Sequence, residues 1–246
     1  MIAALPMYLR PSNRAAHRAF WALVRDGLRA RGVTAPDALD ETLSPEAGWG
    51  HSELVLGQIC NLPLRTVFAG RVTVVATADY GLDGCQPGYY RSHYVTRPGV
   101  EGPLWGRRWA INSRLSQSGY GTPWAEARAA GADLNVVLET GAHAGSVEAV
   151  QDGRADVAAI DAQTWRHLEV EGLTDGLVIS GHTMPTPAMT FITRAGQDPA
   201  PHRAALAEAV AALPAEHRAT LQLQGIVELP PAAYDLPVPP ETRAAA

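Results

Sequence analysis

Short apolar runs alternate with segments of helical period along almost the whole chain, and that alternation leaves few folds open. Residues 54–60, 72–78, 109–112, 134–138, 156–160, 177–180 and 189–193 read as strands. Residues 63–69, 118–130, 146–151 and 162–170 read as the helices between them, and 202–213 and 216–223 as closing helices before a Pro-rich tail. Residues 2–7 are an apolar run ending at Tyr8, and 89–96 alternate as a strand. Pro11, Ser12 and Asn13 open a first helix, with Phe20, Leu23, Val24 and Leu28 at helical spacing and Gly32 as its stop. Such alternation predicts an α/β fold, with a mostly parallel sheet and helices on both faces. Ligands in such sheets bind beyond the carboxyl ends of the strands. Polar residues just after each strand are therefore the ones to weigh.

Composition narrows the function. The chain has 246 residues, 46% of them apolar and 18% charged, enough for a real core in one large unit or two lobes. The net charge is -5, so the basic face that nucleic-acid binding needs is not expected. All basic residues are Arg, which excludes lysine-dependent covalent chemistry. Cys60 and Cys85 could pair in an oxidising compartment or stay reduced. No run approaches the roughly 20 apolar residues of a membrane span, so no direct membrane insertion is expected. The first eight residues lack the basic stretch of a signal peptide. As written, the sequence reads as cytoplasmic, and as periplasmic or extracellular if its start is truncated or mis-assigned.

Three clusters follow strands. Ser116-Gln117-Ser118-Gly119-Tyr120 lies after residues 109–112 and opens a helix. Hydroxyls and a glycine at a helix start can cradle an anion without a basic side chain, or simply cap the helix. Thr140-Gly141-Ala142-His143-Ala144-Gly145-Ser146 repeats the arrangement after 134–138. His143 there either donates to the same anion, charged near neutral pH, or is structural. Asp161 ends the next strand and either caps the following helix, accepts from a ligand, or orients His143. Tyr8 could stack on or hydrogen-bond a ligand from the other lobe. Arg65, at the end of the 58–65 stretch, could meet an anion.

In this order, residues 5–8, 58–65, 79–92, 116–120, 141–146 with Ala149, Val150 and Gly153, 156–165 and 185–193 resemble the periplasmic phosphonate-binding family of ABC-transporter substrate-binding proteins. The resemblance implies a two-lobed α/β type 2 periplasmic-binding-protein fold, with two mixed, mostly parallel sheets flanked by helices and a double-crossing hinge. One lobe would be 1–94 plus 190–246 and the other 95–189. It implies closure over a small phosphonate- or phosphate-like oxyanion, for uptake with an ABC permease as partner. The implied ligand-binding residues are Tyr8, Ser116, Gln117, Ser118, Gly119, His143 and Asp161, with no cofactor, no metal and no catalytic residue. Three rivals remain. A cytosolic ligand sensor would use the same site without a permease. A hydrolase would put Ser116 or Ser118, His143 and Asp161 in a triad within about 3 Å contacts, and a relative making a thiamine precursor would call for a metal- or histidine-rich site, whereas the eight histidines here are scattered. A metal reading would rest on His143, His182 and Asp161, at a spacing that is not diagnostic.

Overall fold

The computed structural model describes residues 1–242. Strand β1 (Ile2–Ala4) is followed by α1 (Arg14–Ala30), α2 (Pro45–Trp49), β2 (Leu54–Ile59), α3 (Asn61–Arg65), β3 (Val72–Asp79), β4 (Tyr89–Tyr90) and β5 (Ser92–Thr96). Then come β6 (Trp109–Ile111), α4 (Thr122–Ala129), β7 (Val136–Glu139), α5 (His143–Gln151), β8 (Val157–Asp161), α6 (Ala162–Val170) and β9 (Val178–His182). The chain continues through β10 (Thr186–Pro187), β11 (Thr190–Arg194), α7 (Ala200–Ala212), α8 (Ala215–Leu221) and β12 (Gly225–Val227).

Two five-stranded sheets result, in the orders β1-β2-β11-β3-β12 and β7-β6-β8-β5-β9, with a short β10-β4 pair. In the first, β1 pairs with β2 in parallel, while β11 enters antiparallel between β2 and β3 and β12 lies antiparallel on β3. In the second, β6, β7 and β8 are parallel neighbours, and β5 runs antiparallel to β8 and β9. Both sheets are therefore mixed, with β1, β2 and β3 running one way in the first and β6, β7, β8 and β9 in the second. The returning strands and β5 supply the antiparallel members.

Every residue of β2 and of β8 is buried, which is why both read as unbroken apolar runs. On α1, Ala16, Phe20, Trp21, Val24 and Leu28 form the buried stripe. That helix ends in a Gly32 with φ of 77°, and Gly32 N–H and Val33 N–H donate to Arg29 and Leu28 carbonyls, closing its last turn. The first 2–7 run is shorter as a strand than expected, because Pro6 has no N–H for the ladder. Helix α2, missed in the sequence, starts at a Ser44 hydroxyl that accepts from Ala47 N–H, with Pro45 next.

The chain forms two compact units, the first comprising Met1–Tyr89 and Pro187–Tyr234. The second runs from Tyr90 to Thr186 and takes in residues 235–242 of the described chain. Three expected boundaries shift, and residues 187–189 join the first unit. Residues 90–94 belong with the second unit because Ser92 pairs with Asp161 and His93 with Ile160. Residues 235–242 join the second unit rather than the first, because the Glu241 carboxylate meets Arg114 Nη1 at 3.2 Å and the Tyr120 hydroxyl. The core of the first unit gathers Trp49, Leu54, Ile59, Phe68 and Ile192. That of the second gathers Val95, Val147, Ile160, Trp165 and Leu168 on one sheet face, with Tyr94, Trp109 and Val157 on the other. Cys60 and Cys85 are both thiols. Among the described residues no helix is long and apolar enough to cross a membrane.

Trp109 is fully buried, stacked on Trp105 at 5.7 Å and edge-on to Tyr94 at 5.5 Å. Replacing it with Ala should cost about 3–5 kcal/mol of unfolding free energy, read from urea denaturation. A loss below about 1 kcal/mol would mean the aromatic cluster does not carry this core.

Candidate functional site

Strands β7, β6 and β8 are adjacent and parallel, so their carboxyl ends lie side by side. The serine-rich turn follows β6, the glycine–histidine turn follows β7, and Asp161 ends β8. This topology brings three of the sequence clusters to one edge of the second sheet.

The first turn is wider than an α-helical one. Gly121 N–H donates to the Ser116 carbonyl five residues back, at 2.9 Å, before α4 begins. Such widened turns recur at functional sites. The Ser116 hydroxyl accepts from Gly119 N–H at 3.0 Å and lies 3.3 Å from the Ser118 hydroxyl. The Ser118 carbonyl accepts from the Ser92 hydroxyl at 3.0 Å, and Ser92 N–H donates to Thr183 Oγ1 at 2.9 Å. Gly119 is required by close approach, since a Cβ there would lie 1.9 Å from Asn112 Oδ1 and 3.2 Å from His143 Cε1. Gln117 turns inward instead, its side-chain amide donating to Thr122 Oγ1 at 2.9 Å.

The second turn is pinned to β6 by Thr140 N–H and Gly141 N–H, which donate to Ile111 and Asn112 carbonyls at 2.9 Å each. Helix α5 begins at His143, and its capping residue Ala142 offers no side chain to the first-turn N–H groups. This helix start keeps its partial positive charge uncapped. His143 Nε2 lies 3.1 Å from Ser118 Oγ and 3.3 Å from Asp161 Oδ2. A carboxylate only accepts, so this geometry favours the proton on Nε2. Asp161 is 1% exposed and also accepts from Thr164 N–H at 2.9 Å and Thr164 Oγ1 at 2.5 Å. It thus caps α6 and orients His143 at once.

Burial pushes the His143 pKa below the usual imidazole value, against the opposing pull of the Asp161 carboxylate and the Ala159 carbonyl. The expected cationic His143 is therefore replaced by a neutral one. Tyr8 lies elsewhere, in the first unit, its ring edge-on to Tyr80 at 5.2 Å and its carbonyl accepting from Asn13 Nδ2 at 2.9 Å. Gln58 Nε2 donates to the Tyr80 hydroxyl at 2.9 Å in the same cluster. His182 does not join His143 and Asp161; its ring meets His93. Sequence reading missed Ser92, Asn112 and Thr164, whose roles need strand register or turn geometry to see.

Ser118 and Asp161 address the same imidazole nitrogen. A Ser-His-Asp relay needs them on opposite nitrogens, with the base accepting from serine on one and donating to the acid through the other. The arrangement is a hydrogen-bonding cradle of hydroxyls, an imidazole and a helix start, not a nucleophile with its base.

The family model described as "ABC transporter, phosphonate, periplasmic substrate-binding protein" matches residues 63–235. No curated protein matches the chain by sequence. Among solved structures, it is similar to PhnD1 from Prochlorococcus marinus in complex with methylphosphonate, at 15% identity and TM-score 0.70, covering 95% of this chain and 94% of that one. It is also similar to a Xanthomonas citri protein bound to ATP, at 14% identity and TM-score 0.69, covering 95% and 92%. A binding-protein component of the ABC phosphonate transporter from Pseudomonas aeruginosa follows at 14% and 0.66, covering 95% and 82%.

Two predictions rest on this geometry. Gly119→Ala should destabilise by about 1–3 kcal/mol, and adding Asn112→Ala should recover much of that; no recovery would locate the strain elsewhere. The second concerns acid. A histidine whose folded pKa is depressed stabilises fully above its unfolded value near 6.5, and that stability is lost as pH falls through it. His143→Gln should therefore melt with a shallower decline than the parent between about pH 7 and 5. Parallel curves would mean that His143 is not held neutral by burial.

Proposed function

The chain belongs to the ABC-transporter family of periplasmic substrate-binding proteins for phosphonate, and on that premise we propose that its second unit seats a small phosphorus oxyanion at the Ser116–Gly119 turn and the start of α5. The family and the similar structures are substrate-binding proteins, not enzymes. The observation that carries the ligand reading is the shared focus of Ser118 Oγ and His143 Nε2 beside the uncapped start of α5. These are neutral donors, and neutral donors with a helix start suffice for a phosphate-like group. The neighbours' ligands, methylphosphonate and ATP, both carry such groups.

Roles follow from what each group can do. The Ser116 and Ser118 hydroxyls and the first-turn N–H groups of α5 donate to oxyanion oxygens, Gly119 N–H fixes the Ser116 hydroxyl, Asp161 holds His143 against Ser118, and Gln117 shapes the turn from within. Tyr8 is the proposed contact from the first unit. Ligand contacts from both units would shift the population toward a closed form, which is how a binding protein presents cargo to a permease. Delivery to an ABC permease, and hence a periplasmic location, are part of this proposal.

The test is a thermal-shift screen with phosphate, methylphosphonate, an aminoalkylphosphonate and an alkylsulfonate. A ligand at 100 times its Kd stabilises by about 2.7 kcal/mol. A phosphorus oxyanion should raise Tm with concentration, and Ser118→Ala with His143→Ala should weaken binding about 10- to 100-fold while circular dichroism stays unchanged. Undiminished binding by the double variant would move the site elsewhere. No shift from any of these compounds would overturn the oxyanion reading and leave the family assignment standing.

A further inference from the structure

The sequence holds His93 and His182 apart by most of the second unit, yet β5 and β9 set them directly opposite each other in register. Their rings lie 4.9 Å apart, and their Nδ1 atoms approach to 2.9 Å. Only one of two neutral rings can place a proton in that gap, and the other offers a lone pair. Trp165 of α6 packs edge-on to His93 at 6.1 Å and holds that ring. His182 is exposed and His93 half-buried, so the gap is reachable from solvent.

We propose that this pair is a cross-strand chelate for a divalent transition-metal ion of the copper(II) or nickel(II) type. Metal–imidazole bonds are about 2.0–2.1 Å long. Two of them at a right angle span about 2.9 Å, the edge of the square-planar or tetragonal nitrogen site that Cu2+ and Ni2+ prefer. A tetrahedral ion such as Zn2+ needs a wider span, about 3.3 Å, so it fits less well. Among the described residues no cluster of three or more His, Cys, Asp or Glu side chains could hold a metal ion, so water completes the coordination.

The proton balance is simple. In the metal-free pair one ring carries its proton on Nδ1; on chelation that proton moves to Nε2 of the same ring and both Nδ1 lone pairs bind the ion. No net proton is released while both rings are neutral. Burial and the neighbouring charges hold His93 neutral well into acid, with its pKa lowered to about 4. The charges that bear on the pair are Arg91 and Arg166, which repel a cation, and Asp161, which attracts one. The site is distinct from the oxyanion cradle. Ser92 and His93 point to opposite faces of β5, Ser92 to Ser118 and His93 to Trp165.

The test uses the full chain purified with no polyhistidine tag, titrated with Cu2+ and with Ni2+ by calorimetry and, for Cu2+, by electron paramagnetic resonance. One Cu2+ per chain with two-nitrogen hyperfine structure is expected. His182→Gln, at an exposed position, should fold as the parent does and keep oxyanion binding, yet lose Cu2+ affinity by more than the roughly 10- to 100-fold that outer-shell changes cost. His93→Gln should do the same. No stoichiometric Cu2+ binding by the parent, or equal binding by folded His182→Gln, would overturn the proposal.

Discussion

A buried carboxylate must be satisfied or neutralised, and the way Asp161 is satisfied organises the second unit. Removing a carboxylate from water costs several kcal/mol unless hydrogen bonds replace what it leaves. Strand β8 is buried throughout and ends on this acid, so the requirement falls at the carboxyl edge of the sheet. Thr164 answers with its N–H and hydroxyl, which starts α6. His143 Nε2 answers from the next turn, which fixes where α5 begins. Ser118 is then aligned against the same imidazole nitrogen. A single acid at a strand end thus couples three strand-to-helix turns, and truncating it would loosen all three.

The same constraint explains the charge of the site. His143 is buried beside an acid, yet desolvation outweighs the attraction and its pKa falls. A cationic histidine would be balanced by Asp161 and would add little net charge for an anion. In the proposed site a neutral one leaves the work to dipoles: the Ser116 and Ser118 hydroxyls and the start of α5. Fixed dipoles need no reorganisation when the ligand arrives, and they discriminate by geometry rather than by charge alone. That suits a chain whose basic residues are all Arg and whose net charge is -5.

Much of this was legible in the sequence, and the failures have physical causes. Buried parallel strands advertise themselves as apolar runs, so β2, β6 and β8 were found within a residue or two, and α6 to the residue. The three clusters stood out because small polar residues concentrate after such strands. What was lost depends on pairing between distant segments. Ser92, His93 and His182 acquire their partners only through the antiparallel register of β5 with β8 and β9. Glu241 joins the second unit through Arg114 and Tyr120, which no local pattern in a Pro-rich tail reveals. The sign of the His143 shift depends on burial, which a motif does not report.

Serine, histidine and aspartate together invite a catalytic reading, and here atoms decide where residue types cannot. In a relay the imidazole must accept at one nitrogen while donating at the other, so that a proton can pass from serine and the resulting cation is stabilised from behind. With Ser118 and Asp161 both on Nε2, a proton taken from serine would have to arrive where the acid already holds one. The imidazole is committed as a donor. A donor committed to Asp161 cannot serve as a base, and in the proposed site its role is to fix the Ser118 hydroxyl beside the Ser116 hydroxyl and the start of α5. The geometry that is at odds with a relay is therefore the geometry on which the proposed binding site rests.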